Sequence, residues 1–168
     1  MSFAAMPRVA LANLPTPLQE ASNLSAVLGG PRILIKRDDL TGLGLGGNKA
    51  RKLEFILADA KQKGADVVIT TGGSQSNHAA QTAAAAMKLG MECYLVLYRG
   101  VHPENQGNML LYHLYNAKVE IVGEKSADLP KIMDRIDRLA AELRSQGRTP
   151  YVIPIGGMLS LIHISEPT

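Results

Sequence analysis

Val67-Val-Ile-Thr-Thr-Gly-Gly-Ser-Gln-Ser-Asn-His-Ala-Ala-Gln-Thr-Ala-Ala-Ala-Ala-Met-Lys-Leu-Gly-Met-Glu-Cys-Tyr-Leu-Val-Leu-Tyr98 reads as strand, helix, strand. A β-branched run, Val67 to Thr71, leaves through two glycines. Ser76 and Asn77 are side chains able to cap the alanine-rich helix from Asn77 to Leu89, and an apolar run from Cys93 to Tyr98 follows. The same alternation extends outward. Ile33 to Lys36, Val119 to Val122 and Tyr151 to Ile155 read as strands. Asn48 to Lys63, Glu104 to Tyr115 and Ala127 to Gln146 read as helices, with a shorter helical stretch from Leu18 to Leu28. Strands alternating with helices predict an α/β fold, a parallel sheet covered on both faces, with ligands at the carboxyl ends of the strands.

Three loops occupy those ends: Thr71 to His78, Tyr98 to Pro103 and Ile155 to Gly157. In the first, backbone N–H groups at the helix start can face a carboxylate or another anion, or the Ser and Asn can serve only as caps. Ala79, Ala80 and Ala83 to Ala86 leave room for a backbone or a flat ligand, although helix propensity alone also favours alanine.

A further loop, Gly42-Leu-Gly-Leu-Gly-Gly-Asn-Lys-Ala-Arg-Lys-Leu53, runs straight into a helix whose first turn carries Lys49, Arg51 and Lys52. Each cation at a helix N-terminus costs ~0.3–1 kcal/mol unless an anion compensates. A bound phosphate is one resolution, and a solvated basic helix start whose lysine stem lies over apolar surface is the other. Lys49, Leu53, Ile56 and Ala60 share one helical stripe, which turns Lys49 toward the buried side. A desolvated lysine beside two cations is expected to lose basicity, as a Schiff-base amine requires. Arg37-Asp38-Asp39 is read as structural, holding the adjoining loop.

Several classes are excluded. Gly42-x-Gly44-x-x-Gly47 matches a dinucleotide fingerprint in form, but the following strand ends in Thr70-Thr71 where an acidic residue is required. Gly47-Asn48-Lys49-Ala50 is not a Walker sequence. In 168 residues with 46% hydrophobic and 20% charged content, a net charge of +3 spread along the chain gives no nucleic-acid footprint. No apolar run has the length of a membrane span. His102 and His113 lack partners at metal-ligand spacing, so no metal site is expected. The lone Cys93, inside an apolar strand, is expected to be buried, and the reducing cytoplasm is the expected compartment.

Pro15-Thr-Pro-Leu18, Ile35-Lys-Arg-Asp-Asp39, Gly46-Gly-Asn-Lys-Ala-Arg-Lys-Leu-Glu-Phe55, Gln75-Ser-Asn-His78 and Tyr151-Val-Ile-Pro-Ile-Gly-Gly157 occur here in that order. In this the chain resembles the pyridoxal-phosphate enzymes that include D-cysteine desulfhydrase, L-cysteate sulfo-lyase and 1-aminocyclopropane-1-carboxylate deaminase. The resemblance runs from Leu14 to Gly157 and implies a tryptophan-synthase-β-like fold (fold type II). It implies that Lys49 forms the internal aldimine of pyridoxal 5'-phosphate and later acts as base, and that Lys52 lies near the cofactor phosphate. Asn77 would contact the ring hydroxyl of the cofactor. Ser76, Asn77 and His78 with their backbone amides would hold the carboxylate of a small amino-acid substrate, and Ser76 matches the serine proposed as nucleophile in the deaminases. His78 matches the desulfhydrase and sulfo-lyase branches, where the deaminases carry glutamine. Ala80 departs from the arginine usual in the family.

The expected function is therefore D-cysteine desulfhydrase-type β-elimination to pyruvate, ammonia and sulfide. L-cysteate sulfo-lyase and cyclopropane-amino-acid deaminase are the alternatives within the family. A non-catalytic phosphate-ligand-binding α/β module and an inactive fragment are the alternatives outside it. The expected division assigns residues 1–50 to a large cofactor domain, 51–150 to a small α/β domain, 151–157 to a strand returning to the large domain and 158–168 to a non-native tail resembling translated adapter sequence. On this reading the C-terminal part of the fold is missing, His163 and Ser165 carry no function, and the 168-residue chain is weakly active or inactive. Exposed apolar surface and an unpaired sheet edge are expected to follow, and the full-length protein is expected to be a homodimer.

Overall fold

A computed structural model describes residues 6–100 and 104–157. In chain order the elements are β1 (Leu18–Glu20), α1 (Ser22–Leu28), β2 (Leu34–Lys36), α2 (Lys49–Gln62), β3 (Val67–Gly73), α3 (Asn77–Leu89), β4 (Glu92–Tyr98), α4 (Asn108–Leu114), β5 (Lys118–Gly123), α5 (Leu129–Ser145) and β6 (Pro150–Val152), with short 3-10 turns between some of them. Four strands form one parallel sheet in the order β5-β4-β3-β6. β1 and β2 form a separate antiparallel ribbon.

Alternation along the strands divides the core. Val68, Leu95 and Leu97 face α2, α3 and α4, where they join Leu53, Leu57, the α3 alanines and Tyr112. Val67, Ile69 and Val96 face the opposite way onto Ile132, Ile136, Leu139 and Leu143 of α5. The sheet is thus covered on both faces, as the βαβ pattern predicts, and its C-terminal edge gathers the loops after β3, β4 and β6. Cys93 is buried in β4, and its thiol is pushed up to about 12 by desolvation.

Three element boundaries differ from the sequence reading. The stretch from Leu18 to Leu28 is not one helix: Leu18, Gln19 and Glu20 pair with Lys36, Ile35 and Leu34, and the helix begins only at Ser22. That pairing joins segments about sixteen residues apart, which local periodicity does not register. The helix expected from Glu104 begins at Asn108, because Gly107 adopts a positive φ of 54° before it. The last strand ends at Val152; Ile153 still donates to the Ile69 carbonyl at 2.8 Å, but Pro154 cannot donate, and Ile155–Gly157 coil into a 3-10 turn.

The β1–α1–β2 unit exposes much apolar surface. α1 has no buried residue, Val27 is 84% exposed, and Leu18, Leu28, Leu34 and Ile35 are exposed as well. Among the described residues β6 pairs with β3 alone, and no strand lies on its other edge. Both features agree with the exposed apolar surface and open edge expected from the sequence.

The segment before α2 is fixed by two contacts. Gly47 N–H donates to the Asp38 carbonyl at 2.7 Å, and Thr41 Oγ1 bonds both the N–H and the carbonyl of Gly47. Gly46 has a φ of 80°, and a Cβ there would lie 1.9 Å from the Asp39 carbonyl oxygen. Gly46→Ala is therefore expected to destabilise the protein by more than about 2 kcal/mol. A urea midpoint equal to that of the parent chain would contradict this packing.

Candidate active site

Two helix starts meet at the C-terminal edge of the sheet. The N-terminus of α3 projects from the loop after β3, and Lys49 opens α2. Lys49, Gly72 to His78, Tyr98, Gly100, Ile155 and Gly156 line one open cleft of about 500 Å³. The structure thus brings Lys49, Ser76, Asn77 and His78 together at one cleft. Lys52 lies beside it, its Nζ donating to the Gly156 carbonyl at 2.7 Å.

The basic start of α2 is resolved largely from within the chain. Arg51 donates to both carboxylate oxygens of Asp38 at 2.6 and 2.9 Å, and Thr16 donates to the same carboxylate at 2.8 Å. With the Arg51 hydrogen bonds as the largest cause, the Asp38 carboxyl is held down at about 2. Two of the three cations therefore have protein acceptors, which narrows the anion argument drawn from the sequence. Lys49 is different: among the described residues its half-buried side chain has no hydrogen-bond or ion-pair partner. The Lys52 ammonium is pushed toward lower pKa, first by burial and then by the Lys49 charge.

Ser76 is the N-cap of α3, its Oγ accepting from Ala79 N–H at 3.2 Å. Gly72 makes room for that cap, since a Cβ there would sit 2.7 Å from Ser76 Oγ. No base is hydrogen-bonded to the Ser76 hydroxyl among the described residues, and its hydrogen remains free to donate. The backbone N–H groups of Asn77 and His78 have no acceptor among the described residues, as befits the first turn of a helix. Asn77 does not cap the helix. Its Oδ1 accepts from Asn108 Nδ2 at 2.9 Å, while the other hydrogen on that nitrogen goes to the Gln75 carbonyl at 2.8 Å. Because a backbone carbonyl only accepts, this chain fixes the amide orientation and leaves the Asn77 NH₂ as donor. Tyr112, fully buried, holds the Ser76 carbonyl at 3.2 Å.

His78 is 3% exposed and lies against Gly157, where a Cβ would meet its ring at 3.2 Å and the Lys52 stem at 2.9 Å. Burial, then the Lys52 and Lys49 charges, push the imidazole down to about 4. Its folded pKa lies below its unfolded value, so its contribution to stability is present above pH 6.5 and is lost as pH falls through about 4. The gap from 6.5 to about 4 corresponds to about 3 kcal/mol. Urea unfolding across this range should show the decline, and His78→Gln should flatten it; equal slopes in the two proteins would contradict a buried neutral ring.

The α3 alanines receive a backbone rather than a ligand at one place. A Cβ on Gly44 would stand 3.5 Å from Ala84 Cβ, and Gln81 donates to the Gly46 carbonyl at 3.0 Å, so the glycine loop itself packs there. Thr70, Asn108 and Tyr112 were not legible as site residues. Only the paired threonines closing an apolar strand gave a local signal. His113 is exposed on α4; His102, His163 and Ser165 lie outside the described residues.

The chain resembles known proteins over most of its length. Residues 9–162 match the family model described as "Pyridoxal-phosphate dependent enzyme". D-cysteine desulfhydrase of Klebsiella pneumoniae (strain 342) is 48% identical over 160 residues, covering 92% of this chain and 47% of the relative. The protein of the same name from Serratia proteamaculans (strain 568) is 44% identical over 164 residues, covering 95% of this chain and 48% of the relative. The crystal structure of an ACC deaminase homologue superposes with a TM-score of 0.83 at 47% identity, covering 92% of this chain and 46% of that one. The chain spans about half the length of the curated relatives it matches. On its sequence match and its fold, this chain belongs to the pyridoxal-phosphate dependent enzyme family.

Proposed function

We propose that the protein acts as a pyridoxal-phosphate lyase on a small amino acid, with D-cysteine as substrate and pyruvate, ammonia and sulfide as products. The observation that carries this reading is the Lys49 ammonium, which lines the same cleft as the N–H groups of Asn77 and His78, all three without a partner among the described residues. An amine and an anion-receiving helix start lining one cleft suit an amino acid and an aldehyde cofactor together. The donor set fits the cofactor: Lys49 to hold its carbonyl carbon, the Asn77 NH₂ to donate to its ring oxygen, and Lys52 to supply positive charge for its phosphate. When bound, the cofactor supplies an electron sink for the substrate α-carbon.

The remaining work falls to the chain. The Asn77 and His78 N–H groups and the Ser76 hydroxyl orient the substrate carboxylate. Lys49 Nζ would take the α-proton. The Cβ–S bond breaks with its electron pair on sulfur, and hydrolysis releases pyruvate and ammonia. Among the described residues no base is hydrogen-bonded to the Ser76 hydroxyl, which favours elimination over nucleophilic ring opening in this reading. The buried Cys93 thiol accords with a cytoplasmic setting, and the family resemblance supports a homodimer.

Supplying the protein with pyridoxal phosphate and, separately, D-cysteine, L-cysteate and 1-aminocyclopropane-1-carboxylate tests the reading. Sulfide as the dominant product supports it. Dominant sulfite points to the sulfo-lyase, and dominant 2-oxobutanoate to the deaminase; either overturns the D-cysteine assignment.

A further inference from the structure

The surroundings of His78 determine which of its ring nitrogens carries the hydrogen. Thr70 is 0% exposed, and its hydroxyl donates to the Ile153 carbonyl at 2.9 Å. The same oxygen lies 3.3 Å from His78 Nε2. A hydroxyl has one hydrogen, and a carbonyl can only accept, so the Thr70 hydrogen is committed to Ile153. Toward the imidazole Thr70 offers lone pairs alone. Nε2 must therefore be the donor, and in a neutral ring Nδ1 is then bare. Nδ1 is buried and has no partner among the described residues. An unsatisfied buried acceptor is costly and calls for an explanation.

We propose that Thr70 is a positioning residue that fixes His78 as the Nε2–H tautomer, so that Nδ1 serves the cleft as a hydrogen-bond acceptor for an N–H or O–H of the ligand. The His78 ring then cannot grip a carboxylate, whose lone pairs would oppose its own, and that anion is left to the backbone N–H groups. β6 thereby has a role beyond closing the sheet, because the Ile153 carbonyl just past it orients a side chain on α3 through a residue of β3. The ligand half of this inference rests on the amino-acid lyase reading; the tautomer half does not.

The test is a long-range ¹H–¹⁵N spectrum of the histidines in the uniformly labelled full chain at pH 7, assigned with His78→Gln. The proposal expects a protonated Nε2 and an unprotonated Nδ1 for His78. A protonated Nδ1, alone or in an imidazolium, overturns it. Thr70→Val should move the ring toward the Nδ1–H form or a mixture, and Thr70→Ser should restore the parent pattern. An unchanged ring in folded Thr70→Val overturns the positioning role. If that variant does not fold, an Nδ1–H ring in Thr70→Ser overturns it equally. No cofactor is needed, so failure here is distinct from failure of Lys49 to take the cofactor.

Discussion

Lys49→Ala is expected to abolish the visible absorbance that develops when the protein is mixed with pyridoxal phosphate and, on the proposed lyase reading, to lower any pyruvate release by about 10³-fold or more. The loss follows from position. Among the three cations at the start of α2, Arg51 is engaged by Asp38 and Lys52 by the Gly156 carbonyl, which leaves Lys49 lining the cleft with no partner among the described residues. Lys49→Arg should fail equally, since a guanidinium cannot act as the amine nucleophile or shed its proton near neutral pH. Lys52→Ala should keep the absorbance and weaken cofactor affinity. Undiminished colour in Lys49→Ala would require another amine to carry the cofactor.

The second large effect concerns stability. Glu54→Ala is expected to destabilise the chain by about 2–4 kcal/mol. Glu54 is 1% exposed, although it sits on a helix between Leu53 and Phe55. One carboxylate oxygen accepts the N–H groups of Leu11 and Ala12, each at 3.0 Å, and the other pairs with the Arg8 guanidinium. Removing the carboxylate strands a buried N–H on Leu11 and frees the segment that packs Leu11 into the core over α2. The Arg8 charge is half exposed, so its loss of a partner adds little. Denaturant unfolding measures the cost, and a change below 1 kcal/mol would contradict this view of the N-terminal segment. Glu54→Gln should fall between, because its carbonyl can still accept from the backbone.

What could be read in advance was what depends on short spacing. β3, α3 and β4 follow from an apolar run, a capped alanine helix and a second apolar run, and the structure differs from that reading by a residue or two. Lys49 could be singled out because its helical phase places it with Leu53 and Ile56. The misses depend on distance along the chain. Leu18–Glu20 is a strand only because Leu34–Lys36 lies beside it. Asp38 meets Arg51 thirteen residues on, and Glu54 meets residues more than forty back. The Thr70–His78 contact requires a strand end and a helix start to converge, and its anchor, Ile153, is 83 residues from Thr70. Asn108 orients Asn77 across the loop that joins β4 to α4, and no local pattern announces it.

Borohydride reduction of the wild-type chain with pyridoxal phosphate, followed by peptide mapping, tests the central claim most directly. The account predicts one stable label, on Lys49, and none on Lys52 or Lys36. Label spread over surface lysines, or confined to Lys52, would contradict it.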